Sequence, residues 1–305
     1  MITQSAVQSR SGALPQNAVF WYNRCMTIPD DIKHCFRQRA IDSNKYSVGT
    51  VAIIGGSSHY NHAPVIAGLG ARAAGAGLVR LVVPDASRIA AGCLLPEATF
   101  VKLTPVCVAP RADVTAVGMG LTTSVNAQAI VSRLLSGNTG RFVIDADALT
   151  ILSGWYGMNH GYEPIDGQEL ILTPHEGEAA RLLGCEREAI SAERENAARE
   201  IAARYHATVV LKGHRSITVS KDGKQTRINE TGNPVMAMGG MGDLLSGMIA
   251  ARWAYLKTGA FDAAASSVWL HGLAGDLVVE RGLDPSLANF AAVAGSERMK
   301  LDNLR

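Results

Sequence analysis

The stretch VAIIGGSS, residues 51–58, decides the fold. A short apolar run closed by a glycine–serine turn is typical of a buried parallel strand and the loop at its carboxyl end. Pro64 then opens a helical pattern of small residues that ends at Gly75 and Gly77, and residues 78–83 form a second apolar run. This order of strand, glycine loop, helix and strand predicts a βαβ unit.

The same alternation continues along the rest of the chain. Further strands are predicted at residues 99–103, 114–117, 142–144, 170–172 and 208–211, and a hairpin at 217–219 and 226–228. Helices are predicted at 85–93, 193–205, 260–280 and 287–301, and another between Gly120 and Leu135. Strands that alternate with helices form open sheets covered on both sides. The sequence therefore predicts an α/β fold with a mostly parallel sheet and helices on both faces, a three-layer α/β/α arrangement.

Composition excludes several classes of protein. Hydrophobic residues make up 47% of the chain and charged residues 18%, which suits a globular protein with a sizeable core. A net charge of +2 without a basic run gives no support for a nucleic-acid surface. The apolar runs are too short to cross a membrane and no signal peptide is indicated, so we expect a cytoplasmic protein. The five cysteines lack metal-like spacing, so we expect reduced thiols and no zinc site.

Residues 1–44 differ from the rest of the chain. They show no clear hydrophobic period and are too few to form a core of their own, although Phe20, Trp21 and Tyr22 could pack on the body of the protein. We therefore divide the chain into an N-terminal extension, residues 1–44, and one α/β domain, residues 45–305.

A glycine-rich loop, GNPVMAMGGMGD at residues 232–243, leads directly into an apolar helical pattern. Glycines let the backbone approach a ligand closely, and the first turn of a helix offers N–H groups to an anion. Asp243, at the start of that helix, has two interpretations. It caps the helix, or it is a base that takes a proton from a hydroxyl group attacking a bound phosphoryl group. The loop alone leaves both open.

Other strand ends carry candidate ligand-binding residues. The G-x-G-x-x-G pattern is absent after the first strand, which argues against a dinucleotide-binding Rossmann site. Asp145 and Asp147 follow the strand at 142–144, either as solvated loop charges or at the edge where open α/β sheets bind ligands. Residues 212–216, KGHRS, place a lysine and an arginine around a glycine, which suits phosphate.

The sequence TPHE at residues 173–176 has the form of a capping box. It predicts Thr173 as the N-cap and Glu176 as the third helical residue. His175 then has no part in the cap, so a ligand contact and a packed loop imidazole both remain open.

Several motifs in a fixed order make residues 45–305 resemble the NAD(P)H-hydrate dehydratase family of the ribokinase-like superfamily. They are IIGGS at residues 53–57, GAGLV at 75–79, DADAL at 145–149, TPHEGE at 173–178, VLKG at 210–213, and the GNP and GD ends of the loop at 232–243. The resemblance implies the ribokinase-like version of the open α/β fold. It also implies repair of a damaged cofactor.

The implied reaction is a nucleotide-dependent dehydration. The ring hydroxyl of the S epimer of NADHX or NADPHX is phosphorylated by ADP or ATP, and phosphate then leaves to regenerate NADH or NADPH. The resemblance further implies Mg²⁺ and a homotetramer. No epimerase domain fits into residues 1–44, so only the dehydratase activity is expected.

The resemblance also implies a role for each matching residue. Asp243 would activate the hydroxyl. The hydrated substrate would contact Ala63, Gly120, His175 and Asp243. The nucleotide would contact Lys212, Gly213, His214, Arg215, Ser216, Gly239, Gly240 and Gly242. Asn126 and Glu178 are candidate neighbours of the magnesium ion, whose ligands the sequence leaves unassigned.

The sequence leaves two other functions open. A small-molecule kinase of the same superfamily, acting on a hydroxyethylthiazole or hydroxymethylpyrimidine type of substrate, would use the same aspartate and release a stable phosphorylated product. A nucleotide-binding sensor would bind without turnover, but it has no need of Asp243.

Overall fold

The computed structural model describes residues 27–106, 110–137, 139–157, 166–257 and 259–304. Within these residues, nine strands form one sheet. They are β1 (Thr50–Ile54), β2 (Leu78–Val83), β3 (Thr99–Lys102), β4 (Val114–Val117), β5 (Gly140–Ile144), β6 (Gln168–Leu172), β7 (Thr208–Leu211), β8 (Ile217–Val219) and β9 (Thr226–Ile228).

The sheet has the order β3-β2-β1-β4-β5-β6-β7-β8-β9. The first seven strands in this order pair in parallel, and β8 and β9 add an antiparallel hairpin at one edge. In the register of the central strands, Ile53 lies between Leu81 and Ala116. Because the seven parallel strands point the same way, their carboxyl ends, and the loops after them, lie at one edge of the sheet.

Helices connect the strands and follow them. They are α1 (Asp30–Lys33), α2 (Ala63–Ala73), α3 (Asp85–Leu94), α4 (Val125–Gly137), α5 (Ala146–Gly157), α6 (Glu176–Leu183), α7 (Arg187–Ala192), α8 (Arg194–Tyr205), α9 (Met241–Leu256), α10 (Ala260–Glu280) and α11 (Leu287–Asp302), with a short 3-10 helix at Pro234–Met236. Among the described residues, none of these helices is both long enough and apolar enough to cross a membrane.

Two hydrophobic cores lie on opposite faces of the sheet. Successive strand residues point to opposite faces, so Val143 joins one core while its neighbours Phe142 and Ile144 join the other. Helices α2, α9, α10 and α11 cover the first face, and α4, α5, α6 and α8 cover the second. The predicted three-layer α/β/α fold is confirmed.

Helix α9 is buried along nearly its whole length because it packs tightly against α2. A Cβ atom at Gly70 would lie 2.0 Å from the carbonyl oxygen of Leu244, and one at Gly247 would lie 1.8 Å from the carbonyl oxygen of Ala67. Only glycine permits such an approach of two backbones. This packing fixes where the first turn of α9 lies.

The described part of the predicted N-terminal extension packs on the α/β body. Phe36 stacks edge-on against Trp269, with ring centroids 5.6 Å apart. Arg252 is fully buried, donates a hydrogen bond to the carbonyl oxygen of Cys35 and lies over the ring of Phe36. The division of the chain at residue 45 stays a prediction, and the aromatic cluster at residues 20–22 lies outside the described residues.

Most predicted boundaries agree with the structure to within two residues, and β2, β4, β7, both hairpin strands and α10 agree at both ends. The sequence missed α1, α5 and α7. The miss at α5 matters most, because Asp147 lies in the first turn of that helix and not in an open loop.

Candidate active site

Five loops meet at the carboxyl edge of the parallel strands. They come after β1, β4, β5, β6 and β7 and comprise residues 55–56, 118–120, 145, 173–175 and 212–216, and Asp147 follows Asp145 in the first turn of α5. All of them carry residues that the sequence singled out. The fold therefore gathers at one edge motifs that are spread over about half of the chain.

The first turn of α9 lies at the same edge. Gly240 is its N-cap residue and has a φ of 91°, a value that favours glycine. Asp243 is the third residue of the helix, so the interpretation of Asp243 as the N-cap is wrong. The N–H groups of the first turn have no partner within the helix and are available to an anion.

Asp145 organises the interior of the site. Its side chain is 1% exposed and accepts three hydrogen bonds. Lys212 Nζ lies 2.6 Å from Oδ1, the N–H of Ala146 donates to the same oxygen at 2.8 Å, and Ser246 Oγ lies 2.6 Å from Oδ2. These contacts tie the end of β5 to the loop after β7 and to α9.

The loop after β4 shapes the position of Asp145. Gly118 has a φ of 122°, and a Cβ atom there would lie only 1.9 Å from the carbonyl oxygen of Asp145. Beside it, the N–H of Thr122 donates to Asp147 Oδ2 at 2.7 Å. A glycine at position 118 thus allows the two loops to touch, and the Thr122 contact anchors the second acid.

Lys212 is the cation at the centre of this acidic edge. Burial acts to lower the pKa of its ammonium group, but the charges of Asp145 and Glu178 outweigh burial and raise that pKa. Glu178 Oε2 lies 3.8 Å from Lys212 Nζ. The lysine therefore stays positively charged in a largely buried position.

For Asp243, unlike Lys212, burial prevails over the attraction of the opposite charge and sets the direction of the pKa shift. Burial, followed by the negative charge of Asp145, raises the pKa of its carboxyl group from 3.8 to about 7, although Lys212 acts to lower it. The first turn of α9 comes close to the lysine, since a Cβ atom at Gly242 would lie 3.4 Å from Lys212 Nζ. A carboxyl group with a pKa near neutrality can both accept and release a proton, which is the property of a general base.

His175 is the N-cap of α6, so the predicted capping box is displaced by two residues. Its Nδ1 accepts hydrogen bonds from the N–H groups of Gly177 and Glu178, and Glu178 Oε2 accepts from the N–H of His175 at 2.8 Å. Thr173, predicted as the cap, is buried, donates instead to the carbonyl oxygen of Ile144 and lies 3.5 Å from Ser246 Oγ. His175 therefore has a structural role that the sequence pattern did not predict.

The cap also sets the tautomer of His175. Because Nδ1 accepts two hydrogen bonds, the ring proton of the neutral imidazole is assigned to Nε2. Partial burial, followed by the nearby charge of Lys212, lowers the pKa of this histidine from its usual value of 6.5, which favours the neutral form at pH 7. The ring remains largely exposed beside the edge where the other loops meet.

The loop of residues 212–216 has a largely buried first residue and an exposed middle part. The ammonium group of Lys212 points inward to Asp145, whereas Gly213, His214 and Arg215 are exposed. The guanidinium of Arg194 holds the loop by donating to the carbonyl oxygens of Lys212 and His214, and Ser216 Oγ donates to the carbonyl oxygen of Gly213 at 3.0 Å. The exposed part thus has a fixed backbone.

Two of the predicted substrate residues lie together. A Cβ atom at Gly120 would lie 3.1 Å from the Cβ atom of Ala63, so the loop after β4 touches the start of α2. His175 comes after β6, two strands away from β4 in the sheet. Asn126 is exposed near the start of α4. The predicted substrate residues therefore lie at two places along the edge, Ala63 with Gly120 at one and His175 at the other.

The structure adds residues that carried no assigned role. Asp145 and Ser246 belong to the buried network around Lys212. Asp276 of α10 accepts hydrogen bonds from the N–H of Gly232 at 2.9 Å and from Asn233 Nδ2 at 3.0 Å, and so fastens the start of the glycine loop. The DADAL motif was a sequence signal for Asp145. Asp276 lies 44 residues after Gly232 and had no local signal.

This fold and this edge define a ribokinase-like α/β protein in which the first turn of a helix carries a carboxyl group of raised pKa. The family model described as NAD(P)H-hydrate dehydratase matches residues 51–289. The chain belongs to the NAD(P)H-hydrate dehydratase family.

Curated relatives include both single-function and bifunctional proteins. The chain is 39% identical over 254 residues to the ADP-dependent (S)-NAD(P)H-hydrate dehydratase of Neisseria meningitidis serogroup B, a match that covers 81% of this chain and 83% of the other. It is 34% identical over 255 residues to the bifunctional NAD(P)H-hydrate repair enzyme of Gloeobacter violaceus, covering 80% of this chain and 48% of the other. The chain thus spans about half the length of that bifunctional relative.

Solved structures show the same fold. The ADP/ATP-dependent NAD(P)H-hydrate dehydratase of Bacillus subtilis, co-crystallised with ATP and Mg²⁺, superposes with a TM-score of 0.78 at 26% identity and covers 90% of this chain and 99% of its own. A ribokinase-like superfamily protein of Enterococcus faecalis superposes with a TM-score of 0.75 at 26% identity, covering 90% and 95%.

Proposed function

We propose that this protein is a nucleotide-dependent dehydratase that converts NADHX or NADPHX to NADH or NADPH. The observation that carries the proposal is the position of Asp243. Its carboxyl group has a pKa near 7 and lies in the first turn of α9, beside the Lys212–Asp145 pair. The Neisseria and Bacillus relatives, which are named as dehydratases of this kind, support the same activity.

Asp243 acts as the base in phosphoryl transfer. The oxygen of the ring hydroxyl forms a bond to the terminal phosphorus of ADP or ATP, the bond from that phosphorus to the bridging oxygen breaks, and the hydroxyl proton passes to Asp243. In the second step the C–O bond breaks, phosphate leaves, and a proton is lost from the neighbouring ring carbon. Phosphorylation helps because phosphate is a far better leaving group than hydroxide.

The first turn of α9 stabilises the transferred group. Charge gathers on the phosphoryl oxygens during transfer, and N–H groups held in place by a helix need no rearrangement to meet it. We assign this role to the amides of Gly240 and Gly242, together with that of Gly239, which directly precedes the N-cap. Lys212 adds a positive charge close to Gly242, and its pairing with Asp145 holds that charge in position.

The two ligands occupy different parts of the edge in this proposal. The nucleotide lies along Lys212, Gly213, His214, Arg215 and Ser216, where the backbone is fixed and the side chains after Lys212 are accessible. The hydrated substrate lies along Ala63, Gly120 and His175 and reaches Asp243.

A magnesium ion fits this site as a companion of the nucleotide. Mg²⁺ keeps several waters and takes one or two carboxylates together with substrate phosphates. Asp147 suits it, since its carboxylate is half-buried at the edge and already oriented by Thr122. Asp145 is less suited, because both of its oxygens are engaged by Lys212 and Ser246. When bound, the ion would neutralise phosphate charge.

The experiment is to incubate the protein with NADHX and either ADP or ATP, and to follow the absorbance of reduced nicotinamide. Recovery of NADH that requires the nucleotide supports the dehydratase. A stable phosphorylated product would instead identify a small-molecule kinase. Nucleotide binding without turnover would identify a sensor.

Three further properties belong to this proposal. The protein works as a homotetramer in the cytoplasm, and residues 1–44 form an extension outside the catalytic domain. Sedimentation equilibrium tests the homotetramer, because a monomer or dimer at assay concentrations would contradict it. Removal of residues 1–26 tests part of the proposed extension. Turnover should survive this deletion if these residues lie outside the catalytic domain.

A further inference from the structure

Three donor atoms of different chemistry meet outside the candidate active site. His34 and Cys35 come after α1, and Asp262 lies in the first turn of α10. His34 Nε2 lies 3.0 Å from Asp262 Oδ2 and 3.6 Å from Cys35 Sγ, and the three atoms all lie within 4.8 Å of one another. The cluster joins segments that are 228 residues apart in the sequence.

These donors match the ligands that zinc takes in proteins. Imidazole nitrogen and carboxylate oxygen bind Zn²⁺ at about 2.0–2.2 Å and thiolate sulfur at about 2.3 Å, so donors at the corners of a tetrahedron lie roughly 3.3–3.8 Å apart. The distances of 3.0 and 3.6 Å from His34 Nε2 to its two neighbours lie close to or within this range. Small rotations of the exposed His34 and the partly exposed Asp262 would bring all three atoms to bonding distance.

The surroundings hold the cluster together. The backbone of Cys35 is fixed by the buried guanidinium of Arg252, and Ser266 Oγ donates to the carbonyl oxygen of Asp262 at 2.7 Å. The thiol is buried, whereas the His34 side chain is 53% exposed. The His34 side of the cluster is therefore open to solvent, and the sulfur of Cys35 lies at its buried end.

A simple ion pair accounts for only part of this arrangement. His34 and Asp262 alone would form one, but that pair does not require a buried thiol beside both partners. We propose that His34, Cys35 and Asp262 form a binding site for a divalent ion of the zinc class, with the fourth position left to water. The site would fasten the segment after α1 to the start of α10.

Binding changes the protonation of the thiol. In the metal-free protein the thiol of Cys35 donates to the carbonyl oxygen of Asp262, with Sγ 3.7 Å from that oxygen. The ion replaces the thiol proton, forms a metal–thiolate bond and releases the proton to solvent. No oxidant or reductant is needed.

Cobalt(II) tests the proposal, since thiolate ligands give this ion a charge-transfer absorption in the near ultraviolet. Full-length protein freed of metal by a chelator is titrated with Co²⁺. We expect the absorption to saturate at one equivalent and to be displaced by Zn²⁺. Cys93→Ser, at an exposed cysteine, is the matched control and should leave the absorption unchanged.

The variants decide the outcome. Cys35→Ser should abolish the charge-transfer absorption, and His34→Gln should weaken Co²⁺ binding at least tenfold. Because Cys35 is buried and its replacement could disturb folding, the exposed His34 variant is the second test. It should also lose the rise in melting temperature that Zn²⁺ gives the unmodified protein. Absence of the absorption, or its persistence in Cys35→Ser, would overturn the proposal.

Discussion

Replacing Asp243 with asparagine should make the protein more stable and less active. In the folded protein the pKa of this carboxyl group rises from 3.8 to about 7. Between those values the folded state binds the proton more tightly than the unfolded chain does. Stability therefore falls as the pH rises, and the loss is complete above the folded-state value.

The size of the effect can be worked from the pKa. At roughly 1.4 kcal/mol per pKa unit, the full rise corresponds to ~4 kcal/mol. Because the side chain is partly exposed, solvent screening reduces this, and we expect a gain of about 2–4 kcal/mol in the free energy of unfolding near pH 8. Near pH 5 the folded carboxyl group is protonated, so the gain should be smaller there by at least ~1 kcal/mol.

Urea denaturation of the two proteins at both pH values measures these differences. Asp42→Asn, at an exposed aspartate, is the control and should change stability little at either pH. Turnover of Asp243→Asn should fall by a factor on the order of a hundred or more, the usual scale for a positioned base. A variant that gains no stability, or gains equally at both pH values, would show that the carboxyl group does not carry the raised pKa.

Three further predictions concern the framework of the site. Lys212→Met should lower the free energy of unfolding by about 3–5 kcal/mol, because it leaves Asp145 buried without its cation. Adding Asp145→Asn should restore part of this loss. Urea denaturation of the single and double variants measures both changes. Asp276→Asn should lower kcat/KM about tenfold by releasing the glycine loop, on the scale of a hydrogen bond to a charged group, and an unchanged kcat/KM would remove its positioning role. Gly118→Ala should destabilise the protein by several kcal/mol in thermal denaturation, on the order of 3 or more, whereas Gly154→Ala, in open space on α5, should stabilise it by up to ~1 kcal/mol.

The sequence predicted the fold well because the relevant signals are local. Five of the seven parallel strands contain a buried apolar run of three or four residues, β4 is buried throughout, and the sequence located all seven strands. Helix α5 was missed because its start, DADAL, carries acids that resemble a solvated loop. The structure shows instead that Asp145 is buried by partners that come from 67 and 101 residues further along the chain.

The capping box after β6 shows a different limit. Thr173 and Glu176 fit the sequence signature, but the N-cap of α6 lies two residues later than the signature places it. The hydroxyl of Thr173 is used inside the protein, and the imidazole of His175 takes its place as the cap. A pattern of four residues cannot register that tertiary contact.

The remaining features that the sequence did not predict depend on contacts between residues distant in the chain. The clamp between Asp276 and Gly232 joins residues 44 positions apart, and the cluster around Cys35 joins segments 228 positions apart. The spacing of the cysteines predicted no metal site, since the other two donors of the proposed site are a histidine and an aspartate. Such sites arise from packing and not from local spacing.

The pH dependence of kcat/KM tests most directly whether Asp243 is the base that activates the substrate hydroxyl. It is measured for conversion of NADHX in the presence of ADP or ATP. We expect kcat/KM to fall about tenfold per pH unit below a pH near 7, and this decline to be absent from the residual activity of Asp243→Asn. A wild-type profile that stays flat through pH 7, or the same decline in Asp243→Asn, would contradict the assignment.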